Sequence, residues 1–466
     1  MARHEADVAI IGAGTAGLAA WRAATETGAR ALLIDPAFRG TTCAYAGCMP
    51  SKALIAAADK AEAARSAMDF GIHTEVRIDG VGVMARVRHL RDGFVAGVRQ
   101  TISEIPEDAR LTARARFTGP AELSLDTGDS ISARAIVIAA GASPAVPPPF
   151  EPVQDKVLTT ESLFELKTLP DSLGVIGAGP VGLELAQALS RLGVRVELFD
   201  GGEALAGMPG PESEALKGEL GFPLHLGTKP QAEPAEGGVR LFWEGGETEV
   251  AQLLVAAGRP PNLEPLELEA AGLELQESGV PRHDPDTMQC GDAPLFLAGD
   301  VSGARPVLHE ASAEGRLAGH NAACFPDVET ARRKVSMAIT FTRPEAALIG
   351  EVPEDGAEGI VTGCVDYAQQ GRARVMGAAA GLVRIYARAS DGKLVGASLC
   401  APGAEHLAHL LAWSIEGGRT AQELLDLPVY HPTLEEGLQT ALRDICQQIS
   451  APKPWHRDDA DLPGSR

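Results

Sequence analysis

The chain has 466 residues, 45% of them hydrophobic. It therefore exceeds what one hydrophobic core usually supports and predicts two to four domains. The formal net charge of −22 argues against a nucleic-acid or anionic-membrane partner, since phosphate groups are bound by clustered Lys and Arg. The sequence shows no signal peptide, no apolar stretch of membrane-spanning length, and seven irregularly spaced cysteines. We expect a cytoplasmic protein without a membrane partner, in which a disulfide would be catalytic rather than structural.

The N-terminal segment has a pattern typical of dinucleotide binding. "VAIIGAGTAGLAAWRAATETGARALLID" predicts a buried strand, a glycine turn, an amphipathic helix and a second strand. Gly12 permits the tight turn, Gly14 lets the backbone approach a pyrophosphate, and Gly17 packs the helix on the strand. Asp35 lies 23 residues after Gly12, at the end of the second strand. Its carboxylate is placed to accept hydrogen bonds from ribose hydroxyls.

Two cysteines follow in "TTCAYAGCMPSKAL", residues 41–54: Cys43 and Cys48. A metal site would need further Cys or His ligands at close spacing, and two inert buried thiols are the other alternative. A redox pair better explains a position so close to a dinucleotide site. In an ideal helix, residues five apart have Cα atoms about 8 to 9 Å apart, beyond the roughly 7 Å that a disulfide allows. We therefore expect Cys43 at an irregular start and Cys48 in the first helical turns, where the helix dipole lowers a thiol pKa.

The next segments predict helices at 53–68 and 81–105 and short hairpin strands at 111–132. A buried strand that leads into a proline-rich linker is predicted at 135–150. The dinucleotide pattern then recurs in "LGVIGAGPVGLELAQALSRLGVRVELFD". Gly177, Gly179 and Gly182 form the turn, and Asp200 lies 23 residues after the first glycine. Two copies imply two dinucleotides. Asp200 would repel a 2′-phosphate and no arginine closely follows it, so the second site should prefer NAD to NADP.

The remaining segments define a third unit. "PLFLAGD" is a strand ending at Asp300, and a helix is predicted to follow at 311–322. Near the C-terminus an Asp-Gly turn joins two strands, and helices are predicted at 404–415 and 434–449. The order predicts an α/β fold with two Rossmann-like domains, one inserted in the other, and a C-terminal α+β domain. The predicted first domain is discontinuous and comprises residues 1–146 and 271–334, and the second domain, 147–270, is inserted in it. The C-terminal unit is predicted at 335–450, followed by a flexible tail at 451–466.

Taken together, "TTCAYAGCMPSKAL", the doubled glycine pattern, "LFLAGD" and "HPTLEE" resemble the class I pyridine nucleotide-disulfide oxidoreductases. Within them the chain is most similar to the dihydrolipoamide dehydrogenases. The resemblance covers nearly the whole chain. It implies FAD at the first motif, NAD at the second, and a homodimer formed through the C-terminal domain. It also implies oxidation of dihydrolipoyl groups on a lipoylated carrier protein or lipoyl domain, with reduction of NAD through a Cys43–Cys48 disulfide.

The resemblance assigns roles near the cysteines. Cys48 would be the charge-transfer thiol beside the flavin, and Cys43 the interchange thiol that attacks substrate sulfur. Lys52 would approach the N5 edge of the flavin, with Glu184 as its partner. The residues implied for the FAD site are Gly12, Gly14, Gly17, Asp35, Thr42, Lys52, Gly141, Asp300, His309 and Ala311, and those for the NAD site are Gly177, Gly179, Gly182, Asp200 and Gly258.

The resemblance also assigns a catalytic base. His431, with its second ring nitrogen held by Glu436, would take a proton from the dithiol, and both would come from the partner subunit. Two departures from the pattern leave the substrate open. Thr41 replaces a usual glycine, and Val429 stands where an additional histidine is common.

Other members of the family, and a non-enzymatic FAD scaffold, are the alternatives. Glutathione reductase normally uses NADP with basic residues near the position of Asp200, and none follows it here. Mercuric reductase needs a cysteine pair near the C-terminus, where only Cys446 is available, and usually lacks the histidine. A scaffold without activity would not need the two cysteines, His431 and Glu436 together.

Overall fold

The computed structural model describes residues 2–449, and the predicted tail at 451–466 lies outside them. The strands within these residues are β1 Arg3–Ile11, β2 Ala31–Ile34, β3 Arg110–Leu111, β4 Ala115–Gly119, β5 Glu122–Leu125, β6 Ser130–Ile138, β7 Val157–Leu158, β8 Ser172–Ile176, β9 Arg195–Phe199, β10 Leu224–His225, β11 Gln231–Ala235, β12 Gly238–Trp243, β13 Gly246–Val250, β14 Gln252–Val255, β15 Leu295–Leu297, β16 Met337–Thr340, β17 Glu345–Gly350, β18 Ile360–Asp366, β19 Leu382–Arg388 and β20 Leu394–Ala401.

The α-helices are α1 Thr15–Glu26, α2 Thr42–Tyr45, α3 Cys48–Arg65, α4 Gly80–Ser103, α5 Thr160–Leu163, α6 Pro180–Arg191, α7 Gly210–Lys217, α8 Leu308–Cys324, α9 Gly371–Val375, α10 Ala404–Glu416, α11 Ala421–Leu425 and α12 Gly437–Gln448. The 3₁₀ helices are Ser66–Phe70, Glu107–Ala109, Pro148–Lys156, Glu264–Leu266, Leu268–Ala271 and Asp300–Ser302. Among residues 2–449, none of these helices combines the length and the apolar character that crossing a membrane demands.

The first sheet has seven strands, in the order β3-β2-β1-β6-β5-β4 with β15 paired to β6. Strands β3, β2, β1, β6 and β15 run parallel, as the predicted strand-helix-strand pattern requires. Ile10 pairs with Leu33 and Val137, and all three are fully buried beneath α1 and α8. Strand β15 follows the second glycine motif in sequence yet belongs to this sheet, so the chain leaves the first unit and returns to it.

The second sheet has the order β10-β9-β8-β14-β7, and its paired strands are parallel. One face packs on α6 and the other on the antiparallel sheet β11-β12-β13. Leu263, Leu266 and Leu268 pack in the core of the first sheet, so the chain returns to the first unit before the predicted boundary at 270.

The third sheet is antiparallel, with the order β16-β17-β20-β19-β18, and it packs against α10 and α12. The predicted Asp-Gly turn joins β19 to β20. Arg384 of β19 donates two hydrogen bonds of 2.8 Å to the buried Glu212 of α7, which ties this unit to the second one. The predicted fold class, two Rossmann-like units plus a C-terminal α+β unit, is confirmed.

Candidate active site

Cys43 and Cys48 lie on two separate helical segments, so Cys43 is outside the long helix that Cys48 begins. Cys43 is on the single turn α2, and Cys48 is the first residue of α3. Gly47 connects them, and a Cβ atom there would lie 3.1 Å from the carbonyl oxygen of Thr42 and 3.3 Å from the Cα of Cys43. Glycine therefore lets the start of α3 approach α2 closely. Thr41, one of the departures from the family pattern, is the N-cap of α2.

The two cysteines are free thiols with unequal acidity. Cys43 is partly buried and Cys48 is exposed. A hydrogen bond from the Cys43 thiol, the largest effect, lowers the pKa of Cys48 to about 7, and the charge of Lys52 acts in the same direction. Protein atoms that desolvate the Cys48 sulfur on its inner side oppose this shift. The same hydrogen bond and burial raise the pKa of Cys43. The largest cause is thus the neighbouring thiol rather than the helix dipole that the sequence indicated. The reduced pair keeps its negative charge on Cys48.

Lys52 lies one helical turn after Cys48 and pairs with Glu184 of α6. The Nζ–Oε2 distance is 2.6 Å, and the Glu184 side chain is only 5% exposed. The backbone N–H of Phe341 donates to the other carboxylate oxygen at 2.9 Å, and the Lys52 ammonium lies 4.5 Å from the centroid of the Phe341 ring. The contact predicted from the resemblance is therefore present, and it joins the helix of the cysteines to the second and third units.

The first glycine turn has the shape that a dinucleotide requires. Gly12 has φ +105°, and a Cβ atom on Gly17 would lie 1.8 Å from the Gly12 carbonyl oxygen, so only glycine allows this packing. A Cβ atom on Gly14 would meet no atom within 4 Å, which leaves open space at the start of α1. Asp35 accepts a hydrogen bond of 3.0 Å from the Ala13 N–H. The carboxylate also accepts from two backbone N–H groups of the loop after β2, at 2.9 and 2.7 Å. It thus orders the turn and that loop and keeps one acceptor position for a ribose hydroxyl, so these residues fit FAD.

The second glycine turn repeats this geometry. Gly177 has φ +113°, and a Cβ atom on Gly182 would lie 1.9 Å from the Gly177 carbonyl oxygen. Gly179 again faces open space, and Asp200 accepts a hydrogen bond of 2.6 Å from the Ala178 N–H. The turn therefore fits a second dinucleotide, such as NAD.

The structure brings a cation to the second site that the sequence did not indicate. The Thr228 N–H donates to the Asp200 carbonyl oxygen at 2.8 Å, which draws the following residue, Lys229, against the end of β9. A Cβ atom on Gly201 would lie 2.8 Å from the Cε of Lys229. No motif marks this lysine, because the contact arises from the pairing of β9 with β10.

The strand that the sequence predicts to end at Asp300 is β15, which ends at Leu297, and Asp300 begins a short 3₁₀ helix three residues later. Burial raises the pKa of its carboxyl, and the charge of Arg259 opposes this shift. The preceding residue, Gly299, donates its N–H to the buried Glu314 at 2.8 Å, and Glu314 also pairs with Arg333. Neither Glu314 nor Arg333 was anticipated from the sequence. Together they hold the strand end that presents Asp300.

The other residues implied by the resemblance lie at the ends of elements in the two nucleotide units. These are Thr42 at the start of α2, Gly141 with φ +67° after β6, the exposed His309 and the buried Ala311 in the first turn of α8, and Gly258 with φ +144° after β14.

His431 and Glu436 form the predicted pair in the C-terminal unit. The Nδ1 atom of His431 lies 2.9 Å from a Glu436 oxygen, the carboxylate is 3% exposed and the imidazole is 49% exposed. The Thr433 N–H also donates to Glu436, at 3.3 Å, and the buried Gln370 donates to the Thr433 carbonyl at 2.7 Å. Since Glu436 holds Nδ1, Nε2 is the nitrogen available for proton transfer. Delivery of this pair to the cysteines of the other subunit stays a prediction.

Comparison with known protein families assigns most of the chain to two matching domains. Residues 6–315 match the family described as pyridine nucleotide-disulphide oxidoreductase, and residues 336–442 match its dimerisation domain. The latter match supports the predicted homodimer.

Relatives with several names share this architecture. The chain is 30% identical over 465 residues to a mercuric reductase of Staphylococcus aureus, covering 95% of this chain and 83% of that protein. It is also 30% identical over 465 residues to a dihydrolipoyl dehydrogenase of Thermus scotoductus, covering 95% and 98%. The solved structure of LpdA from Mycobacterium tuberculosis has a TM-score of 0.80 and 26% identity, covering 95% of this chain and 99% of that chain. The chain belongs to the pyridine nucleotide-disulphide oxidoreductases, and it is a flavoprotein disulfide oxidoreductase that uses FAD and NAD(P).

Proposed function

We propose that this chain is a dihydrolipoyl dehydrogenase, which oxidises protein-bound dihydrolipoyl groups to lipoyl groups and reduces NAD⁺ to NADH. The observation that carries the proposal is the unequal thiol pair. The Cys43 thiol donates to Cys48, whose pKa is lowered to about 7, and Lys52 follows one helical turn later. A pair of this kind is suited to exchange with an external dithiol and to hold negative charge on one defined sulfur.

The reaction begins with the pair in its disulfide form. His431 of the partner subunit takes a proton from one substrate thiol, and the resulting thiolate attacks the sulfur of Cys43. The S–S bond breaks, and Cys48 leaves as a thiolate, which is favoured because its pKa is low. The second substrate thiol then loses its proton to solvent and, as a thiolate, attacks the substrate sulfur of the mixed disulfide. Cys43 is released as a thiol with the proton from His431, and the substrate becomes a cyclic disulfide.

The reduced pair must then be reoxidised. Bound FAD and NAD⁺ supply this chemistry, accepting the electron pair and carrying it away as NADH. The turn at Gly12 with Asp35 would hold the flavin nucleotide, and the turn at Gly177 with Asp200 the nicotinamide nucleotide. The charge of Lys52 next to Cys48 stabilises the thiolate until it is oxidised.

Two observations favour a lipoyl substrate over mercuric ion. The His431–Glu436 pair provides the base that a dithiol substrate needs. Cys446, the last cysteine of the sequence, is buried in the core of the C-terminal unit with a raised pKa, so it offers no accessible thiol for a metal substrate. A lipoylated carrier protein or lipoyl domain is the partner we propose, in a cytoplasmic setting.

Turnover assays test the proposal with the purified FAD-containing protein. Dihydrolipoamide should reduce NAD⁺, whereas Cys43→Ser, Cys48→Ser and His431→Gln should each lose at least about 100-fold in kcat. Cys364→Ser, which changes another exposed thiol, is the matched control and should retain activity. Rapid oxidation of NADPH by mercuric ion, without activity on dihydrolipoamide, would instead assign a mercuric reductase.

A further inference from the structure

A cavity of about 720 Å³ borders the helical turn that bears Cys43. Its wall is built from α4 and from the loop that leads into α2. Tyr45, two residues after Cys43 on the same turn, lines the cavity, together with Arg39 from the preceding loop and Arg91 and Arg99 from α4. The cavity is therefore continuous with the segment that presents the proposed interchange thiol.

The loop is fixed against α4 by backbone and apolar contacts. The Nε of Arg99 donates to the Arg39 carbonyl oxygen at 3.3 Å. A Cβ atom on Gly40 would lie 3.6 Å from a methyl group of Val98, which is ordinary van der Waals contact. The Arg99 side chain therefore lies against the loop that leads to the turn of Cys43.

The charges of the cavity wall are not balanced. Arg91 is already paired, since it donates to Asp92 at 2.8 Å and also to Glu165. Neither Arg39 nor Arg99 forms an ion pair with another side chain within residues 2–449, and both are exposed. Asp92 and Glu165 also line the cavity, and both are paired with Arg91, so the two other arginines leave the wall with a net positive charge in a chain whose net charge is −22. Guanidinium groups bind carboxylates through paired hydrogen bonds.

We propose that Arg39 and Arg99 bind a carboxylate carried by the dithiol substrate, so that the enzyme selects an anionic dithiol over a neutral one. The inference rests on the proposed function and specifies its substrate class. The carboxylate could belong to a small dithiol acid or to an acidic side chain beside the lipoyl group on a carrier protein. Both sources place a negative charge near the reacting sulfur atoms.

Dihydrolipoate and dihydrolipoamide test this inference, because they differ only in a carboxylate and an amide. At low ionic strength the wild-type enzyme should have a kcat/KM about fivefold higher for dihydrolipoate, the size expected for exposed charge pairs. The ratio of kcat/KM for dihydrolipoate to kcat/KM for dihydrolipoamide should fall towards one at high salt. It should also fall towards one in the double variant that combines Arg39→Gln and Arg99→Gln. Arg39→Gln alone should lower the ratio while leaving the Arg99 bond to the backbone. Arg316→Gln, an exposed arginine on α8 away from the cavity wall, should keep the wild-type ratio.

A second arm identifies the source of the carboxylate. A lipoylated carrier domain is compared with its variant in which acidic side chains next to the lipoyl-lysine are changed to amides. If the wild-type enzyme has a higher KM for the carrier variant than for the unchanged carrier, and the enzyme with both arginines replaced does not, the carboxylate belongs to the carrier. If the wild-type enzyme only prefers dihydrolipoate to dihydrolipoamide, the carboxylate belongs to a small acid. Equal kcat/KM for both small dithiols and equal KM for both carriers would overturn the inference while preserving the proposed function. No oxidation of any dithiol would overturn both.

Discussion

The acidity of Cys48 depends on its neighbouring thiol, and Cys43→Ala measures that dependence. The wild-type pKa of about 7 lies below the ordinary value of 9.0, and the hydrogen bond from Cys43 is the largest cause. A difference of two pH units corresponds to about 2.7 kcal/mol. Because Cys48 is exposed, solvent screening reduces the part lost with Cys43 to about 1 kcal/mol, or a factor of about five in the thiolate–thiol equilibrium. The thiolate fraction at pH 7 should then fall from about one half to about one sixth.

The rate of iodoacetamide alkylation reports this fraction, because the thiolate is the nucleophile. In the reduced wild-type enzyme, alkylation of Cys48 should rise with pH through a midpoint near 7, since a lowered pKa moves ionisation to lower pH. Cys43→Ala should be about threefold slower at pH 7 and should reach the wild-type rate above pH 9. Cys43→Ser retains a hydroxyl donor, so its alkylation rate at pH 7 should lie between those of the wild type and Cys43→Ala. All variants are measured in a Cys364→Ser background, which removes another exposed thiol. An unchanged midpoint in Cys43→Ala would show that Lys52 and the helix end set the pKa of Cys48.

Two further substitutions test contacts that only the structure reveals. Arg333→Met breaks the pair with the buried Glu314 and should lower the free energy of unfolding by about 3 kcal/mol and weaken FAD retention, measured by urea titration and by flavin fluorescence. The control is Arg332→Met: Arg332 is 79% exposed, so this change should alter the free energy of unfolding by less than about 0.5 kcal/mol. Equal effects of the two substitutions would contradict the role assigned to Glu314. Lys229→Met should reduce kcat/KM for NADPH by about fivefold but not for NADH, because the lysine packs against Gly201, next to Asp200, where a 2′-phosphate would bind. A parallel loss for both nucleotides would exclude that role.

The local chemistry of the chain was readable from the sequence. A strand, a glycine turn, a helix and a terminal acid form one contiguous unit, so Gly12 and Asp35 were recognisable without any tertiary contact. Helix geometry, combined with the expectation of a redox pair, also predicted that Cys43 precedes the regular helix that holds Cys48, and the two lie on α2 and α3. The resemblance of the motifs to a known family supplied the pairing of His431 with Glu436, which lie only five residues apart.

Contacts between distant segments were decided by the tertiary structure. Lys229 and Arg333 carry no motif, and they reach Gly201 and Glu314 only through strand pairing and the packing of the chain after α8. The cause of the low Cys48 pKa was likewise inaccessible, because a hydrogen bond between two thiols depends on side-chain placement to within fractions of an ångström. Sequence patterns with short spacing determine the type of chemistry, whereas the energies that tune it arise from groups that folding brings together.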